Sequence, residues 1–426
     1  MRFNEIRRYW RHGPPSESIR AAAYPGPSTW KAGMLSAALG LLVLLVSDSG
    51  LAGPPSDRSS PWQGREVFAE KGCTDCHSVY GKGGEGGPDL GRDKFYGTYL
   101  ELAASMWNHL PKMFERMEKA RHEFPELTSQ EMESLVDYIS FIRYVGEPGN
   151  ERRGKRLLEK KHCMDCHRFG GSGGDVGPDF SDSKEYLAPL HLVESMWNHG
   201  PGMNDLFEAE GVDRPEFDEK EIVDLAAGIR ASMQPSTVPA GSYDLGDPDQ
   251  GWKLIGEKGC LSCHSVGAEG GDLAPDFRSI DFDASATEIA GRMWNHGPQM
   301  WAIMEREGIP YPTFETGEMA DILAYLYGLR LVDEPGSPQH GFEIVERKCV
   351  SCHMLEGGKG EIAPDLAAVG PLRTPFDMIA SMWNHAPVMR QKQVELDVRW
   401  PALSGREVAD VFAYLQSLEG SARGPN

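Results

Sequence analysis

The chain has 426 residues, with 43 basic against 64 acidic side chains and a formal net charge of −21. At roughly 150 residues per domain this length allows two to four domains, and a mean hydropathy of −0.43 excludes a bundle of membrane helices. The acidic balance excludes a nucleic-acid binder, which needs cations to neutralise phosphates; ten Trp, sixteen Phe and thirteen Tyr exclude a disordered chain.

In chain order, Arg2, Arg7, Arg8, Arg11, Arg20 and Lys31 precede sixteen uncharged residues that end at Asp48. That run exceeds many signal-peptide cores and falls short of the about 18–20 residues that span a bilayer. Residues 1–52 are expected to be a Sec signal cleaved near Gly50-Leu51-Ala52, with an uncleaved membrane tether as the alternative. The mature chain is then periplasmic, or held at the outer face of the inner membrane.

The eight cysteines form four C-x-x-C pairs: Cys73 and Cys76, Cys163 and Cys166, Cys260 and Cys263, Cys349 and Cys352. A histidine follows each pair at once: His77, His167, His264 and His353. C-x-x-C-H is the attachment signature of a c-type haem. Two thiols three residues apart reach the two porphyrin vinyl groups, and the adjacent imidazole faces the iron. A zinc ribbon or a thioredoxin-like pair does not require that histidine. Four covalent haems, each with its iron, are expected.

Around each motif the sequence repeats itself. A glycine opens each unit (Gly64, Gly154, Gly251, Gly341), and a proline lies eleven residues past each histidine (Pro88, Pro178, Pro275, Pro364). Thirty-two residues past the first histidine comes a second, within M-W-N-H-x-P-x-M: His109, His199, His296 and His385. That segment also carries Trp107, Trp197, Trp294 and Trp383, and ends in Met113, Met203, Met300 and Met389. An amphipathic helix closes each unit, exemplified by Leu127 to Phe141 and Leu403 to Leu418, with capping boxes at Thr128/Glu131 and Ser404/Glu407.

The order of opening helix, C-x-x-C-H, Gly-Pro loop, ligand-bearing segment and closing helix resembles class I cytochrome c over roughly residues 62 to 420. The resemblance implies an all-α fold of four tandem domains, each a small helical unit around one covalent haem c: residues 62–148, 149–236, 246–334 and 337–420. It implies that the carbonyls of Pro88, Pro178, Pro275 and Pro364 orient the proximal His77, His167, His264 and His353. It also implies a helix crossing at Tyr138, Tyr325 and Tyr414, made looser in the second unit by Gly228.

The sixth iron ligand has two candidates. Pro111 suits the first turn of a new helix with Asn108 or His109 near its cap, which puts Met113, Met203, Met300 and Met389 where the family keeps its thioether ligand. His109, His199, His296 and His385 are the alternative. The four Trp are read as packed on the porphyrin or core with their indole N–H bonded, Asn108 and its counterparts as caps, and Met117 and Met304 as core filler. His12, His122, His162, His191 and His340 have no counterparts between units and read as surface or supporting residues.

Residues 146–153, 234–250 and 333–340 read as linkers, and the longer middle one hints at two pairs of domains. The six basic and three acidic residues of 1–52 leave 37 against 61 beyond it, so electron donors and acceptors are expected to have basic contact surfaces. The leading expectation is a tetrahaem electron carrier rather than an enzyme. A subunit of a redox enzyme with one open haem is the runner-up, and a gas or redox sensor the third reading.

Overall fold

The computed structural model describes residues 60–422 apart from 94–96, 181–187, 219, 233–245, 281–283 and 361; the expected signal or tether lies outside these. Within them one order of helices recurs four times. A short opening helix leads into the cysteines: α1 (Pro61–Glu70), α4 (Glu151–Lys160), α7 (Pro248–Glu257) and α10 (Pro338–Lys348). A long helix carries M-W-N-H: α2 (Tyr99–Ala120), α5 (Pro189–Glu210), α8 (Ala286–Glu307) and α11 (Pro375–Glu395). A closing helix returns over the opening one: α3 (Ser129–Val145), α6 (Glu221–Ser232), α9 (Glu318–Leu329) and α12 (Gly405–Ala422). Apart from two-residue antiparallel ribbons such as Ser78–Val79 with Lys82–Gly83, the described residues are helix, turn and loop. The fold is all-α.

Local chemistry sets the helix ends. Thr98/Glu101, Thr128/Glu131 and Ser285/Glu288 are reciprocal capping boxes that satisfy otherwise orphaned N–H groups. Ser404 and Glu407 bond in the same way. A lysine at the end of each opening helix ties it to the closing helix of its unit. Lys71 pairs with Glu131, Lys161 with Glu221, Lys258 with Glu318 and Lys348 with Glu407.

The glycine that opens each unit sits where its two short helices cross. A Cβ on Gly64 would lie 1.8 Å from the Ser134 carbonyl oxygen, and one on Gly341 2.0 Å from that of Asp410. Only a glycine lets the backbones come so near. The looser crossing expected in the second unit is corrected here. Gly228 meets Gly154 directly, since a Cβ on Gly228 would be 2.5 Å from the Gly154 carbonyl carbon. Two facing glycines bring these helices into backbone contact.

A second correction concerns the prolines of M-W-N-H-x-P. No new helix begins there; Pro111, Pro201, Pro298 and Pro387 lie inside α2, α5, α8 and α11. A proline has no N–H for the carbonyl four residues back, which in each case is that of the tryptophan. Two of these freed carbonyls are taken from elsewhere in the chain: Trp107 O accepts from Trp400 Nε1 at 3.3 Å, and Trp197 O from the Tyr311 hydroxyl. In α2 and α5 a side chain thus supplies the missing donor.

Those donors belong to other units. The Trp107 indole donates to the Pro401 carbonyl at 2.8 Å, and Trp383 donates to Pro125 at 2.8 Å. Likewise Trp197 donates to Pro312 at 2.9 Å and Trp294 to Pro215 at 2.8 Å. The asparagine beside each Trp bridges the same segment. Asn108 donates to Leu403 O at 2.7 Å and accepts from Leu403 N at 2.9 Å, and Asn384 does both with Leu127 at 2.8 Å. Asn198 holds Phe314 and Asn295 holds Phe217 in the same manner. The asparagines are therefore clasps rather than helix caps. Pairs do form, but they join the first unit to the fourth and the second to the third. Tyr144 against Tyr327, ring centres 4.8 Å apart, links one pair to the other.

Candidate cofactor sites

Each C-x-x-C pair lies on one tight helical turn, closed by the N–H of the following histidine. His77 N donates to Cys73 O at 2.9 Å, and His167, His264 and His353 bond Cys163, Cys260 and Cys349 at 2.9–3.0 Å. In the third unit the turn is a 3₁₀ helix, Cys260–Ser262, which Cys263 closes by donating its N–H to Cys260 O at 3.2 Å. The carbonyl of the second cysteine then gathers in the Gly-Pro loop. Cys76 O accepts from Gly87 N at 2.7 Å, Cys166 O from Gly177 N at 2.8 Å, Cys263 O from Ala274 N at 2.9 Å and Cys352 O from Ala363 N at 3.0 Å. All eight cysteines, Cys263 included, are half-buried free thiols rather than disulfide partners.

The imidazoles are fixed from behind by the same loop. Nδ1 of His77, His167, His264 and His353 donates to the carbonyls of Pro88, Pro178, Pro275 and Pro364 at 3.0, 3.2, 2.9 and 3.0 Å. With Nδ1 committed, Nε2 is the nitrogen that can bind a metal.

In the first and fourth units the second histidine stands opposite the first. The His77 and His109 rings are 6.3 Å apart between centres, and those of His353 and His385 6.1 Å. An imidazole nitrogen reaches a transition-metal ion at about 2.0–2.1 Å, with the ring centre roughly 1 Å behind it. Two imidazoles on opposite sides of one ion therefore place their centres about 6 Å apart. In the second unit His199 Nδ1 donates to Ser195 O at 2.8 Å, which again leaves Nε2 free.

The electrostatics favour the ligating, neutral form. Burial, then the facing imidazole, holds His109 and His385 below the usual histidine range. Burial also lowers His167 and His264, against the raising effect of the Pro178 and Pro275 carbonyls. Burial pushes the thiols of Cys73, Cys163, Cys260 and Cys349 up to about 11. A redox-active pair needs a lowered thiol, so these cysteines do not suit thioredoxin-like exchange.

Between the imidazoles lie apolar cavities. One of about 410 Å³ is lined by Cys349, Cys352, His353 and His385, and one of about 330 Å³ by Cys163, Cys166, His167 and His199. Their walls are mostly hydrocarbon. Two thiols on one edge, facing imidazoles and an apolar slot between them fit a covalently attached haem. Met389 and Met203 line the same cavities one helical turn beyond the histidines. Met113, Met203, Met300 and Met389 are all half-buried against the core. Met304 is buried as core filler, as expected.

The tryptophans are buried, with Trp107 3% and Trp294 1% exposed. Trp107 lines the cavity of the fourth unit and Trp294 that of the second, so each packs on a pocket outside its own unit. The residue before each clasped proline packs its ring on the tryptophan: Phe124 on Trp383 at 5.1 Å, Tyr311 on Trp197 at 5.4 Å and Trp400 on Trp107 at 4.6 Å. In the remaining pair the Arg214 guanidinium takes that place, 3.7 Å from the Trp294 ring. Burial pushes it down to about 10, and its buried Nε and Nη2 have no hydrogen-bond partner. His122 and His162 bond Asp75 and Asp165, each at 2.9 Å, on the outer side of the cysteine turns.

Sequence reasoning did not single out the segment that the Trp-Asn pairs grip. The signal was present: P-x-L/F recurs sixteen residues past every second histidine, as Pro125-Glu126-Leu127, Pro215-Glu216-Phe217, Pro312-Thr313-Phe314 and Pro401-Ala402-Leu403.

No curated protein and no solved structure gives a match to the chain. Residues 63–142 and 338–419, which hold the first and fourth C-x-x-C-H motifs, match the family model described as cytochrome c. That similarity supports a c-type cytochrome, with covalently bound haem c as its cofactor and electron transfer as its chemistry.

Proposed function

We propose that this protein is an electron carrier with four covalent haems, one per unit, each iron bound by two histidines. His77, His167, His264 and His353 serve on one side; His109, His199, His296 and His385 serve on the other. The facing imidazoles, 6.3 and 6.1 Å apart where both rings are in contact range, carry this reading. On this reading Met113, Met203, Met300 and Met389, the ligands expected from the sequence, serve instead as half-buried packing. When bound, haem supplies a one-electron iron couple, and the chain supplies the thioether anchors, the oriented imidazoles and the exclusion of water. Two histidines favour a lower potential than His/Met ligation would. Export to the periplasm and partners with basic contact surfaces belong to the same proposal, supported by the charged and apolar pattern of residues 1–52 and the acidic remainder.

The test is a pyridine haemochrome assay with intact mass on the purified holoprotein, followed by ligand spectroscopy. The expected result is four haems per chain, no near-infrared band from thioether-to-iron bonding, and no carbon monoxide binding by the reduced protein. Fewer than four haems would overturn the count. A thioether band that is lost in Met113→Leu would return the ligand to methionine. Rapid carbon monoxide binding at one haem would favour the enzyme-subunit reading.

A further inference from the structure

Resting on that reading, we propose that each cofactor pocket is completed by the tryptophan of the unit paired with it. Trp107 is then a positioning residue for the haem of the fourth unit, and Trp294 for that of the second. The assignment crosses the chain. Trp107 sits two residues before His109, yet the cavity it lines is walled by Cys349, Cys352, His353 and His385. Trp294 precedes His296 and lines the cavity of His167 and His199.

The geometry makes these rings fixed walls. A ring inserted across an interface places little constraint on a ligand unless it is itself held. Trp107 is held at three points: its indole N–H by Pro401 O, its own carbonyl by Trp400 Nε1 and its face by the Trp400 ring. Trp294 is held by Pro215 O at 2.8 Å and by the stacked Arg214 guanidinium. Pro111 takes part in this. By leaving the Trp107 carbonyl free it creates the acceptor that Trp400 occupies, so an otherwise awkward helical proline anchors the wall. The polarity and packing around one haem therefore depend on a side chain some 250 residues away in sequence, and packing of this kind around the ligands tunes redox potential.

The test uses full-length holoprotein in four forms: wild type, Trp107→Leu, Trp107→Phe and Asn108→Ala. Haem-methyl NMR signals are assigned to the fourth unit by their Overhauser contacts with Ile362 and Val388, which line that cavity. In Trp107→Leu these signals, and the potential of that haem, are expected to shift while those of the first unit hold. Trp107→Phe keeps an aromatic wall and should recover most of the wild-type spectrum. Asn108→Ala loosens the same clasp at Leu403, which also lines the cavity, but keeps the Trp107 ring, so it should lower stability and shift the signals less than Trp107→Leu does. Shifts confined to the first unit, or the same shifts in Asn108→Ala, would overturn the proposal. If Trp107→Leu does not fold, Trp107→Phe decides the matter through a smaller shift that is expected at the same haem. A wild-type protein without haem-methyl signals would instead refute the underlying reading of the sites.

Discussion

Trp107 and Pro401 lie 294 positions apart in sequence, and the indole of one donates to the carbonyl of the other at 2.8 Å. The bond is reciprocated within the same pair of units by Trp383 and Pro125. Each partner thus gives a Trp-Asn grip and receives one, an arrangement like that of a two-fold symmetric dimer written into a single chain. The second and third units repeat it. The clasp replaces a β-ladder with side chains, since an asparagine amide offers the same donor and acceptor as a peptide group.

Asn108 satisfies both backbone groups of Leu403, a residue 5% exposed. Asn108→Ala leaves that N–H and C=O buried and unpaired, at about 1–3 kcal/mol each. A loss of about 2–4 kcal/mol is expected in guanidinium unfolding. Combined with Asn198→Ala, in the other pair, the two losses should add; combined with Asn384→Ala, in the same pair, they should not. A change below about 0.5 kcal/mol for the single variant would mean that the clasp is incidental.

The helix crossings predict opposite signs for two glycines. In Gly341→Ala the new methyl group would be 2.0 Å from the Asp410 carbonyl oxygen, so α10 must be driven off α12. Overpacking against backbone should cost about 3 kcal/mol or more. Gly256, inside α7, has nothing within 4 Å of its added Cβ. Gly256→Ala should stabilise by about 0.5–1 kcal/mol through helix propensity alone. Thermal melts of the two variants check the pair, and equal shifts would contradict the backbone-contact account.

Asp333 predicts a pH dependence. It accepts from the Thr98 hydroxyl and from Leu100 N at 3.0 Å, and burial pushes its carboxyl up to about 6. The folded chain then holds this proton to higher pH than the unfolded chain does. Its effect is absent below about pH 4, and it costs stability progressively as pH rises to about 6. Asp333→Asn keeps a donor and an acceptor without the charge. It should match the wild type near pH 4 and exceed it above pH 6, by no more than about 3 kcal/mol. Urea unfolding across that range measures the difference; a variant less stable at pH 7 would reverse the sign.

Removal of the cofactor should unfold the units around it. Without haem the hydrocarbon walls of a cavity of about 410 Å³ face water or collapse, and units this small have little other core to hold them. Chain produced without haem attachment should show low helicity and no cooperative melt by circular dichroism. A sharp native-like transition would show that the core stands without it.

Much of the site was legible because its chemistry is local. C-x-x-C-H and the proline eleven residues on lie on one turn and one loop, so spacing alone relates Cys73, Cys76, His77 and Pro88, and equally Cys260, Cys263, His264 and Pro275. The choice between His109 and Met113 was not legible. Both fall on one face of α2, and which of them faces His77 depends on how that helix is docked. The expected helix start at Pro111 failed for a related reason: the helix runs on through the proline, and the donor to the freed Trp107 carbonyl comes from Trp400, far away in sequence. The clasps were invisible for want of any local signal, because Trp-Asn and P-x-L/F acquire meaning only when placed together.

The nested pairing also imposes a schedule on the newborn chain. The second and third units can close soon after they emerge, but Trp107, Asn108 and Leu127 must wait for residues near 383–403. At roughly 5–20 residues per second, those 290 or so residues take about 15–60 s to be synthesised. For that interval the first unit has an unsatisfied, sticky half-interface, and the loop that must finally close spans most of the protein, the kind of long-range contact that slows folding. Haem-loaded chain cut short after the third unit should therefore keep an inner pair that resists protease while the first unit remains open to it.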